Sequence, residues 1–191
     1  MLNRMIEDHL KCIQHLQKSS SLLETSGKLL LSCLLDGGKL MVCGNGGSAS
    51  DAQHFSAEIV GRFEKERNAY PAVSLTTDTS VLTALGNDYG YDEVFARQVQ
   101  GLGRAKDVLI GISTSGYSQN VIRAVEQAKI MQIKSVGLLG RDGGSLKKLV
   151  DVPVVVENAS TARIQEAHIF VLHYWALLIE SGLPQTPPKK A

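Results

Sequence analysis

A turn rich in hydroxyl side chains lies at Ser113 to Ser118, where the sequence reads Ser-Thr-Ser-Gly-Tyr-Ser. The apolar segment 107–112 before it predicts a buried strand, and the amphipathic segment 118–132 after it predicts a helix. The free N–H groups and the dipole of a helix start favour a bound anion. Because the turn has no lysine or arginine, it favours a phosphate that anchors a substrate. An ordinary turn in which Ser118 caps the helix is the alternative.

A second polar loop, 44–51, follows the first predicted strand and reads Gly-Asn-Gly-Gly-Ser-Ala-Ser-Asp. It fits the pattern G-x-G-x-x-G/A of dinucleotide-binding folds, but the acid that such a fold needs about 20 residues later comes too late. We interpret the loop as a bend whose backbone N–H groups approach a small polar ligand, with Asn45 and Ser48 adding hydrogen bonds. A tight turn with Ser50 or Asp51 as the helix cap is the alternative.

The helix predicted after this loop carries a histidine and a carboxylate on one face. His54 and Glu58 are four residues apart, so their side chains are neighbours on the helix surface. Such a pair can bind a divalent metal, or the carboxylate can act as a base beside the imidazole. An exposed pair without further function is the alternative.

The last predicted helix is strongly apolar but contains Gln165, Glu166, His168 and His173. Polar groups on a buried helix need partners. Around an ideal helix, Gln165 and His173 are about 80° apart and Glu166 and His173 about 20° apart. The spacing therefore leaves open which of the two pairs borders a site, and a simple core histidine is a further alternative.

The scaffold that positions these groups is predicted from apolar periodicity. Two helices at 3–18 and 20–36 come first, and strands and helices then alternate. The predicted strands are 39–43, 72–76, 107–112, 134–139 and 152–156, and the helices 49–63, 79–86, 91–102, 118–132, 144–149 and 160–181. This order predicts an α/β fold, a three-layer doubly wound parallel sheet of five strands whose ligands bind at the carboxyl ends of the strands.

Length and composition fit one compact enzyme-sized domain. The chain has 191 residues, and we expect a single domain at 1–183 and a flexible proline-rich tail at 184–191. The net charge of +1 gives no reason to expect nucleic acid or a membrane as a partner. With no signal peptide and three cysteines without CxxC spacing, the sequence predicts a cytoplasmic protein. The helical pair within 1–37 is expected to cap the sheet or to contact a second subunit.

Five stretches together resemble the sugar isomerase (SIS) domain family, and within it the bacterial isomerases of sedoheptulose 7-phosphate. The stretches are CGNGGSASDAQHFSAE at 43–58, RFEKERNAYPAVSLTTD at 62–78, ALGNDYGYDEVFARQV at 84–99, DVLIGISTSGYSQNVIRA at 107–124 and RIQEAHIFVLH at 163–173. The resemblance implies the SIS fold with an N-terminal helical pair, and a homotetramer with sites shared between subunits. It also implies conversion of D-sedoheptulose 7-phosphate to D-glycero-D-manno-heptose 7-phosphate through an enediol, the first step of ADP-heptose biosynthesis.

The resemblance further implies a set of site residues. A substrate phosphate would be bound by Ser113, Thr114, Ser115 and Ser118. The sugar would contact Asn45, Gly46, Gly47, Glu58, Asn87, Asp88 and Gln165. One zinc ion per subunit, and no nucleotide, would be bound by His54, Glu58, Gln165 and His173. For the proton transfer we expect Glu58 to be the carbon base and His173 its partner.

Two other functions of an SIS protein compete with this interpretation. A non-catalytic paralogue that binds the replication initiator is similar over 63–85, but it lacks an acid and a histidine at the positions of Glu58 and His173. An SIS isomerase of another sugar phosphate is the second alternative. The chain also departs from the isomerase pattern at Ala162, where some members have an acid, and at Tyr117, where asparagine is common.

Overall fold

The computed structural model describes residues 1–184 and gives them an α/β architecture. The strands are β1 Leu40–Gly44, β2 Ala72–Ser74, β3 Val108–Ser113, β4 Lys134–Gly140 and β5 Val152–Val156. The helices are α1 Leu2–Leu16, α2 Ser20–Leu35, α3 Gly47–Val60, α4 Thr79–Tyr89, α5 Val94–Leu102, α6 Gln119–Ile130 and α7 Thr161–Gly182. Short 3-10 turns occupy Gln17–Ser19, Tyr91–Glu93 and Leu146–Lys148.

All strand pairs of the sheet are parallel, and the strand order is β2-β1-β3-β4-β5. β1 and β3 are neighbours in register from Leu40 opposite Val108 to Gly44 opposite Ile112. The chain leaves β1 into α3 on one face of the sheet and leaves β3 into α6 on the other face. The carboxyl ends of these two strands therefore border the crevice in which doubly wound sheets bind ligands.

Each face of the sheet has its own apolar core. On one face, α1, α2, α3 and α7 pack around the fully buried side chains of Phe55 and Trp175, and the Trp175 indole donates a hydrogen bond to the Leu23 carbonyl (3.1 Å). On the other face, α5 and α6 pack around Phe95 and Val121. The N-terminal helices thus cap the sheet, which is one of the two roles expected for them.

The predicted fold class, the five strands and the N-terminal helical pair are confirmed, with boundary shifts of a few residues. The predicted helix at 144–149 is wrong: Gly143 and Gly144 have positive φ angles of 87° and 53°, which break the helical path and leave a short 3-10 turn. The helix predicted at 49–63 is present as α3, which begins at Gly47 and ends at Val60. The predicted helix at 91–102 is a 3-10 turn followed by α5.

The domain limits remain predictions. Of the predicted flexible tail at 184–191, residues 185–191 lie outside the described residues. Among the helices of the described part, none has the length and apolar character needed to span a membrane.

Candidate active site

The hydroxyl-rich turn after β3 gathers its side chains around Ser113. The Ser113 hydroxyl lies 2.9 Å from that of Ser118 and 3.5 Å from that of Ser115, and it accepts the Gly116 N–H (3.1 Å). Ser118 occupies the cap position of α6, but its side chain makes no cap hydrogen bond. The turn is therefore a cluster of neutral hydroxyls at a helix start, which suits an anion better than simple helix capping does.

The hydroxyl turn is in close contact with the segment 143–146 through Gly116. Gly116 has a φ of 72°, and a methyl group in place of its Cα hydrogen would overlap the Gly143 carbonyl. The Leu146 N–H donates to the Gly116 carbonyl (3.1 Å). Gly143, just before the incorrectly predicted helix 144–149, and Gly144, its first residue, therefore allow the 143–146 segment to approach and fix the hydroxyl turn.

The glycine-rich loop after β1 is held on two sides. The Asn45 and Asn120 amides exchange two hydrogen bonds of 2.8 Å, and the Tyr91 hydroxyl donates to Asn45 Oδ1 (3.4 Å). Gly47 lies against the Gln165 amide so closely that a methyl group there would overlap it. The loop thus touches both α6 and α7, and the alternative of a helix cap at Ser50 or Asp51 is wrong because both residues lie inside α3.

His54, Glu58 and His173 come together between α3 and α7. One ligand atom from each lies within 4.8 Å of those of the other two. His54 Nε2 is 2.9 Å from Glu58 Oε1, and the His54 and His173 rings meet edge to face with centroids 5.1 Å apart. The Phe63 ring lies on the other side of His173, with centroids 5.5 Å apart. Two imidazoles and a carboxylate are a common protein ligand set of catalytic zinc, so these residues fit the ion that the resemblance implies.

The last helix resolves the pairing that spacing left open. The Glu166 carboxylate turns toward α1, where it lies 2.7 Å from His9 Nδ1 and also pairs with Arg163. Gln165, by contrast, contacts Gly47 of α3, and His173 contacts His54 of the same helix. His168 is a core histidine, and burial lowers its pKa to about 4.

A buried ion pair fixes the ends of the two helices that carry the His54–Glu58–His173 cluster. The Glu180 carboxylate accepts the N–H groups of Phe63, Glu64 and Lys65 at 2.8–3.0 Å and lies 3.5 Å from Arg67 Nε. Burial raises the pKa of Glu180, but these donors outweigh it and hold the pKa below its usual range. The Arg67 guanidinium also donates to the Glu58 carbonyl (2.6 Å) at the end of α3. These bonds favour an end of α3 before residue 63, where the sequence had predicted that the helix ends.

Asp51 lies one helical turn before His54 on the same face of α3. Its Oδ2 atom is buried and has no hydrogen-bond partner among residues 1–184. Burial raises the pKa of this carboxyl to about 6, and nearby His54 offsets part of the shift. A carboxyl that holds its proton to such a pH is typical of functional clefts.

Two expected site residues make no hydrogen bond to the other site residues among those described. Asn87 and Asp88 lie exposed on α4, and the Asn87 amide donates to the Asp88 carboxylate (2.8 Å). Ala162 is exposed in the first turn of α7, and Tyr117 is exposed within the hydroxyl turn. Asn120 was not among the predicted site residues, although an amide among the apolar residues of a helix start is a detectable signal.

The comparisons with known proteins agree with this geometry. The sequence profile of the SIS domain matches residues 6–140. The chain is 50% identical over 176 residues to a phosphoheptose isomerase of Campylobacter jejuni subsp. jejuni serotype O:6, covering 92% of this chain and 95% of that protein. Its fold matches the solved structure of the phosphoheptose isomerase GmhA from Neisseria gonorrhoeae with a TM-score of 0.89 and 46% identity, over 94% of this chain and 97% of the other. The solved structure of a phosphoheptose isomerase from Francisella tularensis matches with a TM-score of 0.91 and 36% identity, over 94% of this chain and 96% of the other.

Each of these matches covers most of this chain and most of the related protein. The sequence identities are high enough to show a shared family and not only a shared fold. The chain belongs to the SIS domain family and, within it, to the phosphoheptose isomerases.

Proposed function

We propose that this protein is an aldose–ketose isomerase that converts D-sedoheptulose 7-phosphate to D-glycero-D-manno-heptose 7-phosphate. The observation that carries the proposal is the convergence of Glu58 and His54 on α3 with His173 on α7. The first residue of α3, Gly47, belongs to the glycine-rich loop, which Asn45 ties to α6, the helix that follows the hydroxyl turn. Such a site offers anion-binding donors at one end and acid–base groups at the other. A ketose phosphate needs both.

The reaction moves a proton between C1 and C2, and the residues divide the work. The hydroxyl turn binds the phosphate, whose binding energy orients the reacting end of the sugar. Glu58 removes a proton from C1 to give the enediol, and a proton then returns to C2. His173 exchanges the oxygen protons that move in the same step, so that the carbonyl passes from C2 to C1 without net gain or loss of protons.

The resemblance implies zinc, one ion per subunit, and His54, Glu58, Gln165 and His173 would hold it. His54, Glu58 and His173 supply a suitable donor set, and the Gln165 amide lies against Gly47 at the start of α3. A bound zinc ion would polarise the substrate carbonyl or simply order the site. Because a carboxylate bound to zinc is a weaker base, Glu58 would not bind the ion and remove the C1 proton through the same atoms at once. We expect one zinc per subunit in protein purified without chelator, with the metal lost in His54→Ala and kept in the control His15→Ala. The absence of metal, together with no response to added zinc, would contradict this assignment.

Four copies of the chain form the active assembly, with sites shared between subunits. Exposed apolar side chains on α1 and α7 support this, namely Leu2, Met5, Ile6, Leu10, Phe170, Tyr174 and Leu177. The exposed position of Asn87 and Asp88 is also compatible with a contribution to the site of a neighbouring copy. Sedimentation analysis should give a tetramer for the wild type and for Lys18→Asp, and smaller species for Leu10→Asp. A monomeric wild type would rule the assembly out.

We place the reaction in the cytoplasm, as the first step of ADP-heptose biosynthesis for lipopolysaccharide. The three cysteines are free and buried, which fits a reducing compartment.

Incubation with ketose phosphates of five, six and seven carbons, followed by identification of the aldose products, tests the function. We expect turnover of sedoheptulose 7-phosphate, with Glu58→Gln as the inactive control. Turnover of a shorter ketose phosphate and none of the heptulose would support the alternative SIS isomerase. No turnover combined with binding to a replication initiator would support the regulatory protein.

A further inference from the structure

Asn120 is buried in the first turn of α6, two residues after the hydroxyl turn ends at Ser118. Its amide oxygen accepts a hydrogen bond from Asn45 Nδ2, and its amide nitrogen donates to Asn45 Oδ1, both at 2.8 Å. This reciprocal pair, which we call the amide clasp, joins the phosphate side of the crevice to the glycine-rich loop.

The glycine-rich loop needs such a tie because its own backbone is permissive. Gly46 has a φ of 56°, and a methyl group built on it would meet no other atom within 4 Å. Neither Gly46 nor Gly47 has a side chain that could pack and fix the loop. The Asn45 side chain is therefore the group through which α6 holds the loop, with the Tyr91 hydroxyl as a weaker third contact at 3.4 Å.

The clasp lies between the hydroxyl turn, which is expected to bind the phosphate, and the glycine-rich loop that leads to the acid–base residues. The hydroxyl turn follows β3 and the glycine-rich loop follows β1, and neighbouring parallel strands are about 4.8 Å apart. A phosphate anchored beyond β3 places the other end of the sugar along the loop and toward α3. A fixed loop thus sets how many carbons separate the phosphate from Glu58 and His173 in a productive complex.

We infer that Asn120 is a positioning residue that acts through Asn45 and makes the site selective for ketose phosphates of one chain length. This inference rests on the proposed isomerase function and deepens it. Asn120 itself does not need to touch the substrate. Breaking the clasp frees the loop, so the reacting carbons of the correct substrate are held less well, and a shorter substrate loses less because it was never well aligned.

The test compares Asn120→Ala with Gln119→Ala, which removes an exposed amide from the same helical turn. For Asn120→Ala we expect kcat/KM for sedoheptulose 7-phosphate to fall at least tenfold, mainly through kcat. The heptulose-to-fructose 6-phosphate ratio of kcat/KM should also fall, while inhibition by inorganic phosphate stays within twofold of wild type. Gln119→Ala should match the wild type in all three measurements. An unchanged ratio, or an equal loss of phosphate inhibition, would show that Asn120 only supports α6 and would overturn the inference.

A double-mutant cycle keeps the inference testable if Asn120→Ala folds poorly. Asn45→Ala breaks the same clasp from its less buried side, and Asn45→Asp keeps the oxygen that accepts from Asn120. If Asn120 acts through Asn45, adding Asn120→Ala to Asn45→Ala should cause less than a twofold further loss. Fully multiplicative losses would refute the clasp.

The failure of the proposed function has a different signature. A wild type that does not turn over the heptulose would refute that function, and the same cycle is then measured with the ketose phosphate that is turned over. If none is turned over, it is measured as binding of sedoheptulose 7-phosphate by calorimetry, where additive losses would equally refute the clasp.

Discussion

The two ends of the candidate site are built in different ways. The phosphate end draws its hydroxyls from one short turn, Ser113 to Ser118, and several of them bond to each other. The acid–base end joins His54 and Glu58 on α3 to His173 on α7, from opposite halves of the chain. The first end depends on local backbone geometry, whereas the second depends on how two helices pack. Damage to the first should therefore weaken substrate binding, and damage to the second should reduce turnover or stability.

The largest effect is expected at the acid–base end. Glu58→Gln and His173→Ala should each lower kcat about 10²–10⁴-fold, because each removes a proton-transfer group from the reaction. The measurement is kcat at saturating sedoheptulose 7-phosphate, with sedimentation to verify that the assembly is kept. Near-normal turnover in either variant would remove that residue from the acid–base role.

The packing behind that end should be nearly as sensitive. Glu180→Ala leaves three backbone N–H groups without their acceptor and the buried Arg67 guanidinium without its counter-charge, so the free energy of unfolding should fall by about 3–5 kcal/mol. Urea denaturation at one fixed protein concentration measures this change. The matched control is Glu24→Ala, which removes an exposed partner of Lys28 and should change stability little. Equal effects in the two variants would mean that the buried pair does not hold α3 and α7 together.

The same contrast explains what the sequence could and could not reveal. The hydroxyl turn and the alternating strands were predictable because their signals, hydroxyl spacing and apolar periodicity, lie within a few residues. The choice between Gln165 and Glu166 was not, because it depends on where α1 packs: His9 on α1 draws Glu166 away from α3. The 144–149 helix failed for a similar reason, since Gly143 and Gly144 serve a distant contact with Gly116.

At the phosphate end the effect should be smaller and of another kind. Ser115→Ala removes one neutral donor to a charged phosphate, a bond of about 1.5 kcal/mol, so KM should rise about tenfold while kcat changes little. Ser80→Ala, on the exposed first turn of α4, is the control and should leave both constants unchanged. An unchanged KM with a collapsed kcat would place Ser115 in the chemical step and would remove the contrast between the two ends.

An effect on the pH dependence of stability should come from Asp51, which lies between the two ends on the face of α3 that runs from Gly47 to His54. Burial raises its pKa to about 6 from the ordinary 3.8, so the folded protein keeps this proton at pH values where the unfolded chain has lost it. Stability from this group is therefore complete below about pH 4 and declines as the pH rises to about 6. In chelator-treated protein at fixed concentration, Asp51→Asn should gain stability relative to the wild type across that window and show a constant difference above it. A difference that does not vary with pH would mean that the carboxyl is solvated, and that this face of α3 is open to water between the loop and the histidines.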